Sequence, residues 1–200
     1  MVATATTAAS RVIDTRPKAA GTAAPVSWRG RRVAAGLLLL VALVASGSAR
    51  ATAQATYRID HVTDGDTVVL RNGQRVRLVQ IDTPEVYFGT ECYGRQASAT
   101  TKRLLPIGTR VRLIAEPATD RVDDFGRLLR YVIRAQDGVN VNLALVAVGA
   151  AAPYFYEGRR GEYAERLEIL AKSARKKRLG LWGACPHTPY DPYRGIETRR

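Results

Sequence analysis

Between two runs of alternating apolar residues, Asp66 to Leu70 and Arg75 to Ile81, stands Arg71-Asn72-Gly73-Gln74. Asn-Gly readily takes the positive φ angles of a tight primed turn, so the two runs read as neighbouring antiparallel strands of one hairpin. Tyr57 to Val62, followed by the turn Asp64-Gly65, supplies a strand ahead of them. Thr83-Pro84 stops the third run because proline brings no ladder donor. Arg110 to Ala115 and Arg127 to Arg134 read as a fourth and fifth strand, the last followed by the turn Asp137-Gly138. The spacing of Tyr93, Ala97, Thr101, Leu104 and Leu105 predicts a helix over Tyr93 to Leu105, ended by Pro106-Ile107-Gly108. Val141 to Val148, ending at Gly149, reads as a short apolar helix. Gly161 to Leu179 reads as an amphipathic one through Tyr163, Leu167, Leu170 and Ala174. Five short strands must hide their edges, and closing the sheet on itself does so. The expected fold class is therefore α+β: a five-stranded Greek-key barrel of the OB type with three helices packed on it. An open sheet with helices on one face is the alternative.

Two hundred residues, 46% of them hydrophobic and 24% charged, suffice for one modest domain and something extra, which excludes a multidomain machine. The extra part is N-terminal. Trp28-Arg29-Gly30-Arg31-Arg32 precedes fifteen residues rich in Ala, Leu and Val, Val33 to Gly47, the pattern of an export signal. That run is short of the roughly 20 apolar residues that span a bilayer. Small-x-small positions follow, with Ala53 or Ala55 as the last residue removed. The expected organisation is a signal peptide or N-terminal membrane anchor with a disordered start over 1–55, a folded domain over 56–183 and a flexible tail over 184–200. The expected location is secreted or cell-surface, membrane-anchored if the leader is retained, with transient membrane contact through that leader.

Residues 1–53 carry seven Lys and Arg against Asp14 alone, so six of the thirteen net positive charges belong to the leader and seven to the remainder. The remaining chain is basic without being extreme and suits a polyanionic partner. The run Arg175-Lys176-Lys177-Arg178 reads either as a solvated helix end or as a contact to nucleic acid. With only His61, His187, Cys92 and Cys185, a four-cysteine zinc site is excluded and multi-His metal centres and paired-His ribonuclease chemistry are not expected, so any metal should be oxygen-ligated. Export makes a Cys92–Cys185 disulfide the expectation, with two free thiols the alternative. Such a bridge closes a loop of 94 residues, for which chain entropy gives at most about 4.5 kcal/mol.

Chemistry-bearing residues fall in three segments: Asp64-Gly65-Asp66-Thr67, Arg77 through Asp82-Thr83-Pro84-Glu85, and Asp123-Asp124-Phe125-Gly126-Arg127. Asp-Gly-Asp alone is ordinarily a turn. Strand parity gives Arg77 the face of Val79 and Ile81, and Arg127 the face of Leu129, Tyr131 and Ile133, so both arginines head apolar faces. Buried guanidinium groups need acidic partners or an anionic ligand. Local salt bridges with the aspartates would satisfy them as well as a substrate would. Asp66 opens the second strand and Asp82 closes the third, which brings the two carboxylates to one rim of the hairpin. Two carboxylates with a main-chain carbonyl and waters suit Ca²⁺, and Glu85, just past the rigid Thr83-Pro84, can orient a water. A metal, a carboxylate and two arginines are the parts phosphoryl chemistry uses.

These motifs, with Glu91-Cys92-Tyr93-Gly94, resemble the staphylococcal (micrococcal) nuclease family, the thermonucleases, over about Tyr57 to Trp182. The resemblance implies an SNase-like OB barrel and a calcium-dependent endonuclease that cuts DNA and RNA, leaving 3′-phosphates, as a monomer with no obligate protein partner. It implies Asp66, Asp82 and the Thr83 carbonyl as calcium ligands, with Asp64 behind them. Arg77 and Arg127 would clamp the scissile phosphate, and Glu85 would hold or activate the attacking water. Tyr154 and Tyr156 would contact the substrate, with Phe155 inward; ordinary core aromatics are the alternative for this trio. The chain departs from the family in lacking a lysine-rich loop over Val86 to Glu91, and in carrying Asp124 and Phe125 where a Lys and a Tyr contact a terminal phosphate. A noncatalytic OB module that binds nucleic acid or a protein is the competing reading. A membrane-tethered calcium-binding structural protein is a third.

Overall fold

The computed structural model describes residues 54–191 except Phe88. Residues 1–53 of the expected leader and residues 192–200 of the expected tail lie outside the described residues. Among the described residues there are seven strands: β1 (Thr56–Val62), β2 (Thr67–Leu70), β3 (Arg75–Leu78), β4 (Ile81–Asp82), β5 (Arg110–Ala115), β6 (Leu128–Arg134) and β7 (Ala152–Pro153). The α-helices are α1 (Gly94–Leu104), α2 (Val141–Ala147), α3 (Ala164–Lys176) and a short α4 (Leu181–Ala184). The barrel closes in the order β1-β2-β3-β6-β5, with β3 and β6 parallel and the other neighbours antiparallel, while β4 and β7 form a separate antiparallel pair. Closure leaves the five main strands without a free edge, as the sequence pattern requires.

The β2–β3 hairpin pairs Thr67 with Arg77, Val68 with Val76 and Val69 with Arg75. Its turn differs from the expected two-residue primed form. Only Gly73 takes a positive φ (81°), and Leu70 exchanges hydrogen bonds with Gly73 and Gln74. This is the longer loop with one left-handed glycine, and the Asn72 side chain holds it by accepting the Gln74 N–H at 3.2 Å.

Val68, Leu70, Val76, Leu78, Val111 and Val132 fill the barrel, and α2 and α3 close over them with Leu145, Val146, Leu167 and Ala171. A smaller cluster of Val79, Tyr131 and Ile133, with Leu129 and Tyr163 against it, lies apart from that core. The third strand does not run on to Ile81. It ends at Leu78, and Gln80 turns left-handed (φ 65°), which frees Ile81 and Asp82 to pair with β7. Gln80 is held there by its buried amide, which donates to Arg159 O at 2.7 Å and accepts from Gly161 N at 2.9 Å. Val79 thus shares the satellite cluster with the Arg127 side of β6, whereas Ile81 joins the main core. Helix α3 begins at Ala164, three residues later than the sequence predicts. The N–H groups of Gly161 and Glu162 are taken by Gln80 and by the buried Glu116 carboxylate.

The C-terminal segment stays on the body further than the sequence predicts. Cys185 is disulfide-bonded to Cys92, and Tyr190 is buried beside Leu181, Ala152 and Cys185. Among the described residues no helix is long and apolar enough to cross a membrane.

Candidate active site

The loop between β1 and β2 is a turn held by the Asp64 carboxylate, which accepts the N–H groups of Asp66 (3.1 Å) and Thr67 (2.7 Å). Gly65 is required there, since a Cβ would stand 2.4 Å from Thr83 Oγ1. That approach lets Thr83 grip Asp66: its N–H and its hydroxyl each donate to Asp66 Oδ2 at 3.0 Å. The other Asp66 oxygen meets Arg77 Nε at 3.0 Å and the Thr67 hydroxyl at 3.3 Å.

Arg77 projects from β3 between buried Val76 and Leu78, hence on the outer side of the barrel wall. It donates from Nη2 to Asp82 Oδ1 at 2.7 Å, and from Nη1 to the carbonyls of Leu78 (2.8 Å) and Ile81 (2.7 Å). The left-handed Gln80 presents both of those carbonyls to one guanidinium by folding the chain back.

Arg127 precedes β6 at the end of the Asp123–Gly126 turn. Asp123 accepts its N–H at 2.9 Å and its Nε at 2.7 Å, and Arg127 Nη1 reaches Thr67 Oγ1 at 3.3 Å. Its guanidinium lies 5.3 Å from the ring centroid of exposed Phe125. An unbroken run of contacts therefore joins Arg127, Thr67, Asp66, Arg77 and Asp82. The side chain of Arg127 is 24% exposed against 14% for Arg77, so Arg127 is the more accessible of the two to a ligand.

Charge is unevenly matched here. Burial and the neighbouring Asp66 carboxylate raise Asp64. Burial pushes Asp82 up to about 7 despite Arg77, with Asp66, Glu85 and Glu91 adding to the rise. Glu85, at the exposed rim, is also raised, first by burial and then by Asp66 and Asp64. Burial works against the charge of Arg77, but Asp66, Asp82 and Asp64 outweigh it and hold the guanidinium protonated. Asp123 is the exception: burial opposes its ionisation, yet the backbone and side-chain hydrogen bonds from Arg127 bring it below the usual range. A surplus of hard carboxylate oxygens around one internal guanidinium fits a hard divalent cation. Among the described residues no three His, Cys, Asp or Glu side chains form a metal cage alone. A main-chain oxygen such as that of Thr83, and water, would have to complete the shell.

The structure thus brings Asp64, Asp66, Arg77, Asp82, Thr83 and Arg127 into one network, with Glu85 in electrostatic contact with it. Tyr154 is half-buried, bonded through its N–H to Gln80 O at 2.9 Å, and lies close enough to Arg77 to influence its charge. Phe155 is buried as expected. Tyr156 is exposed, with its ring centroid 5.8 Å from the Arg159 guanidinium. Sequence reading gave no role to Thr67 or Asp123, although both stand inside the motifs that drew attention; Asp123 sits four residues before Arg127, the one available signal.

A family model described as staphylococcal nuclease homologue matches residues 75–184. The chain belongs to this family. It is 38% identical over 133 residues to the thermonuclease of Staphylococcus intermedius, covering 64% of this chain and 76% of that one. It is 31% identical over 173 residues to the thermonuclease of Staphylococcus hyicus, covering 76% and 98%. Endonuclease YncB of Bacillus subtilis (strain 168) is 34% identical over 131 residues, covering 62% and 60%. The matched segment opens with β3 and includes Arg77, Asp82, Thr83, Glu85 and Arg127; Asp64 and Asp66 precede it.

Proposed function

We propose that this member of the staphylococcal nuclease family is a calcium-dependent endonuclease that hydrolyses phosphodiester bonds of DNA and RNA to leave 3′-phosphate ends. The relatives' names support a nuclease, and the observation that carries the reading is the unbroken run from Arg127 through Thr67, Asp66 and Arg77 to Asp82. In this reading Asp66, Asp82 and the Thr83 carbonyl hold Ca²⁺, and Asp64 fixes the turn that carries Asp66. The bound ion supplies charge neutralisation at the phosphate and at the attacking oxygen. Glu85 holds a water in line with the phosphorus. Arg77 and Arg127 donate to the non-bridging oxygens, where negative charge builds. The water oxygen bonds to phosphorus as its proton passes to Glu85, the bond to the 5′-oxygen breaks, and that oxygen takes a proton from solvent water. Arg127 is assigned charge stabilisation and not proton donation, because a guanidinium holds its protons too firmly to act as the acid. Tyr154 and Tyr156 offer rings to bases, each worth about 1–3 kcal/mol and indifferent to sequence. The Cys92–Cys185 pairing supports an oxidising, exported location.

A noncatalytic binding module would draw support from Arg77, whose contacts run to four protein acceptors. The more accessible Arg127 and the rim position of Glu85 favour the enzyme. End analysis of cleaved single-stranded DNA tests the bond assignment: products should carry 3′-phosphate and 5′-hydroxyl ends. Products with 5′-phosphates would overturn it.

A further inference from the structure

Glu85 is clamped on both sides of its own peptide by one residue. Its N–H donates to Glu91 Oε2 at 2.9 Å, and its carbonyl accepts the Glu91 N–H at 2.9 Å. The chain between Glu85 and Glu91 is thus pinched shut at its base. The same Glu91 Oε2 accepts the hydroxyl of Tyr190 at 3.1 Å, from the far C-terminal segment. Tyr190 is buried, and its surroundings of Asp82, Glu91 and Asp66 hold its phenol protonated, so it remains a donor. The residue after Glu91 is Cys92, whose disulfide to Cys185 fixes this stretch to the end of α4, five residues before Tyr190. Helix α1 also presses on the clamp from below: a Cβ on Gly94 would stand 2.4 Å from Glu85 O.

We propose that Glu91 is a positioning residue for Glu85, held in place by Tyr190 and the Cys92–Cys185 disulfide, so that the C-terminal segment sets the geometry of the water-holding carboxylate. The inference rests on the nuclease reading for its effect on rate, but the clamp has a readout of its own. A carboxylate that must hold a water in line tolerates little displacement, and about 1 Å of misplacement can cost on the order of 100-fold in rate. Reducing the disulfide releases one end of the brace. With dithiothreitol the S–S bond breaks, each sulfur takes an electron and a proton to become a thiol, and the reagent closes to its cyclic disulfide.

The test combines steady-state cleavage of single-stranded DNA with amide hydrogen exchange at Glu85, on the full chain. Glu91→Ala should lower kcat about 10-fold with KM within about twofold, and should speed Glu85 amide exchange about 10-fold. Glu91→Gln keeps an acceptor oxygen and should recover most of both. Tyr190→Phe and dithiothreitol treatment should each move kcat and exchange the same way by a smaller factor, about threefold. Unchanged Glu85 exchange in Glu91→Ala, or a wild-type kcat despite faster exchange, overturns the proposal. If the wild-type chain cleaves nothing, the nuclease reading falls, while the exchange data still decide whether the clamp exists.

Discussion

Asp123 shows how one carboxylate can fix a functional cation. It accepts the backbone N–H groups of Phe125 and Arg127 and the Nε of Arg127, and so sets both the turn and the direction of the guanidinium. A carboxyl whose pKa is depressed on folding binds fewer protons in the native state than in the unfolded chain. Its stabilisation is present above the unfolded pKa and fades as pH falls through the folded one. The wild-type chain should therefore lose more stability than Asp123→Asn between about pH 5 and pH 2, with the two curves converging in acid. Urea-unfolding midpoints across that range check this, and parallel curves would contradict it. At this scale much of the site was legible. Asp66, Arg77, Asp82 and Arg127 stand in short motifs, and parity grouped Leu129, Tyr131 and Ile133, which do cluster, whereas the parity that joined Val79 to Ile81 is broken at Gln80. The bridging Thr67 hydroxyl was not legible, because a threonine after Asp66 reads as an ordinary strand residue.

Among the elements, the join between α2 and the barrel depends on a polar residue inside an apolar helix. Asn142 is fully buried; its side chain accepts Val132 N–H at 3.0 Å and donates to Val79 O at 2.8 Å, just past the hydrogen bond from Val79 N–H to Arg130 O at 3.0 Å that joins this chain end to β6. Asn142→Ala would leave both buried backbone groups unpaired, at about 1–3 kcal/mol each. Chemical denaturation should show a loss of about 2–5 kcal/mol, and a change below about 1 kcal/mol would contradict this role. Helices α1 to α3 and the five main strands follow from periodicity and turn residues, whereas the four-residue α4 does not. The break at Gln80 does not, because the residues that hold it, Arg159 and Gly161, lie some eighty positions away in sequence. Without the break Asp82 would continue β3, and the carbonyls of Leu78 and Ile81 would not converge on Arg77.

At the scale of the whole molecule, a closed barrel carries the acidic network on its outer side, with charge supplied from the β1–β2 loop, β3, β4 and the turn before β6. The C-terminal segment returns to this side through Cys185 and Tyr190. Sequence reading expected the Cys92–Cys185 bridge but not the Tyr190 anchor, since the Pro- and Tyr-rich stretch has no period and that anchor is a single long-range contact. What it did predict, a carboxylate rim with two arginines, is present as one connected network. The central claim is that this network is a calcium-dependent phosphodiesterase centre. Its most direct test is the rate of single-stranded DNA cleavage by the full chain in Ca²⁺, in excess chelator, and in Ca²⁺ with Glu85→Gln whose fold is verified by circular dichroism. Cleavage should require Ca²⁺ and fall by about 100-fold or more in Glu85→Gln; an undiminished rate in chelator, or in the folded variant, would contradict the account.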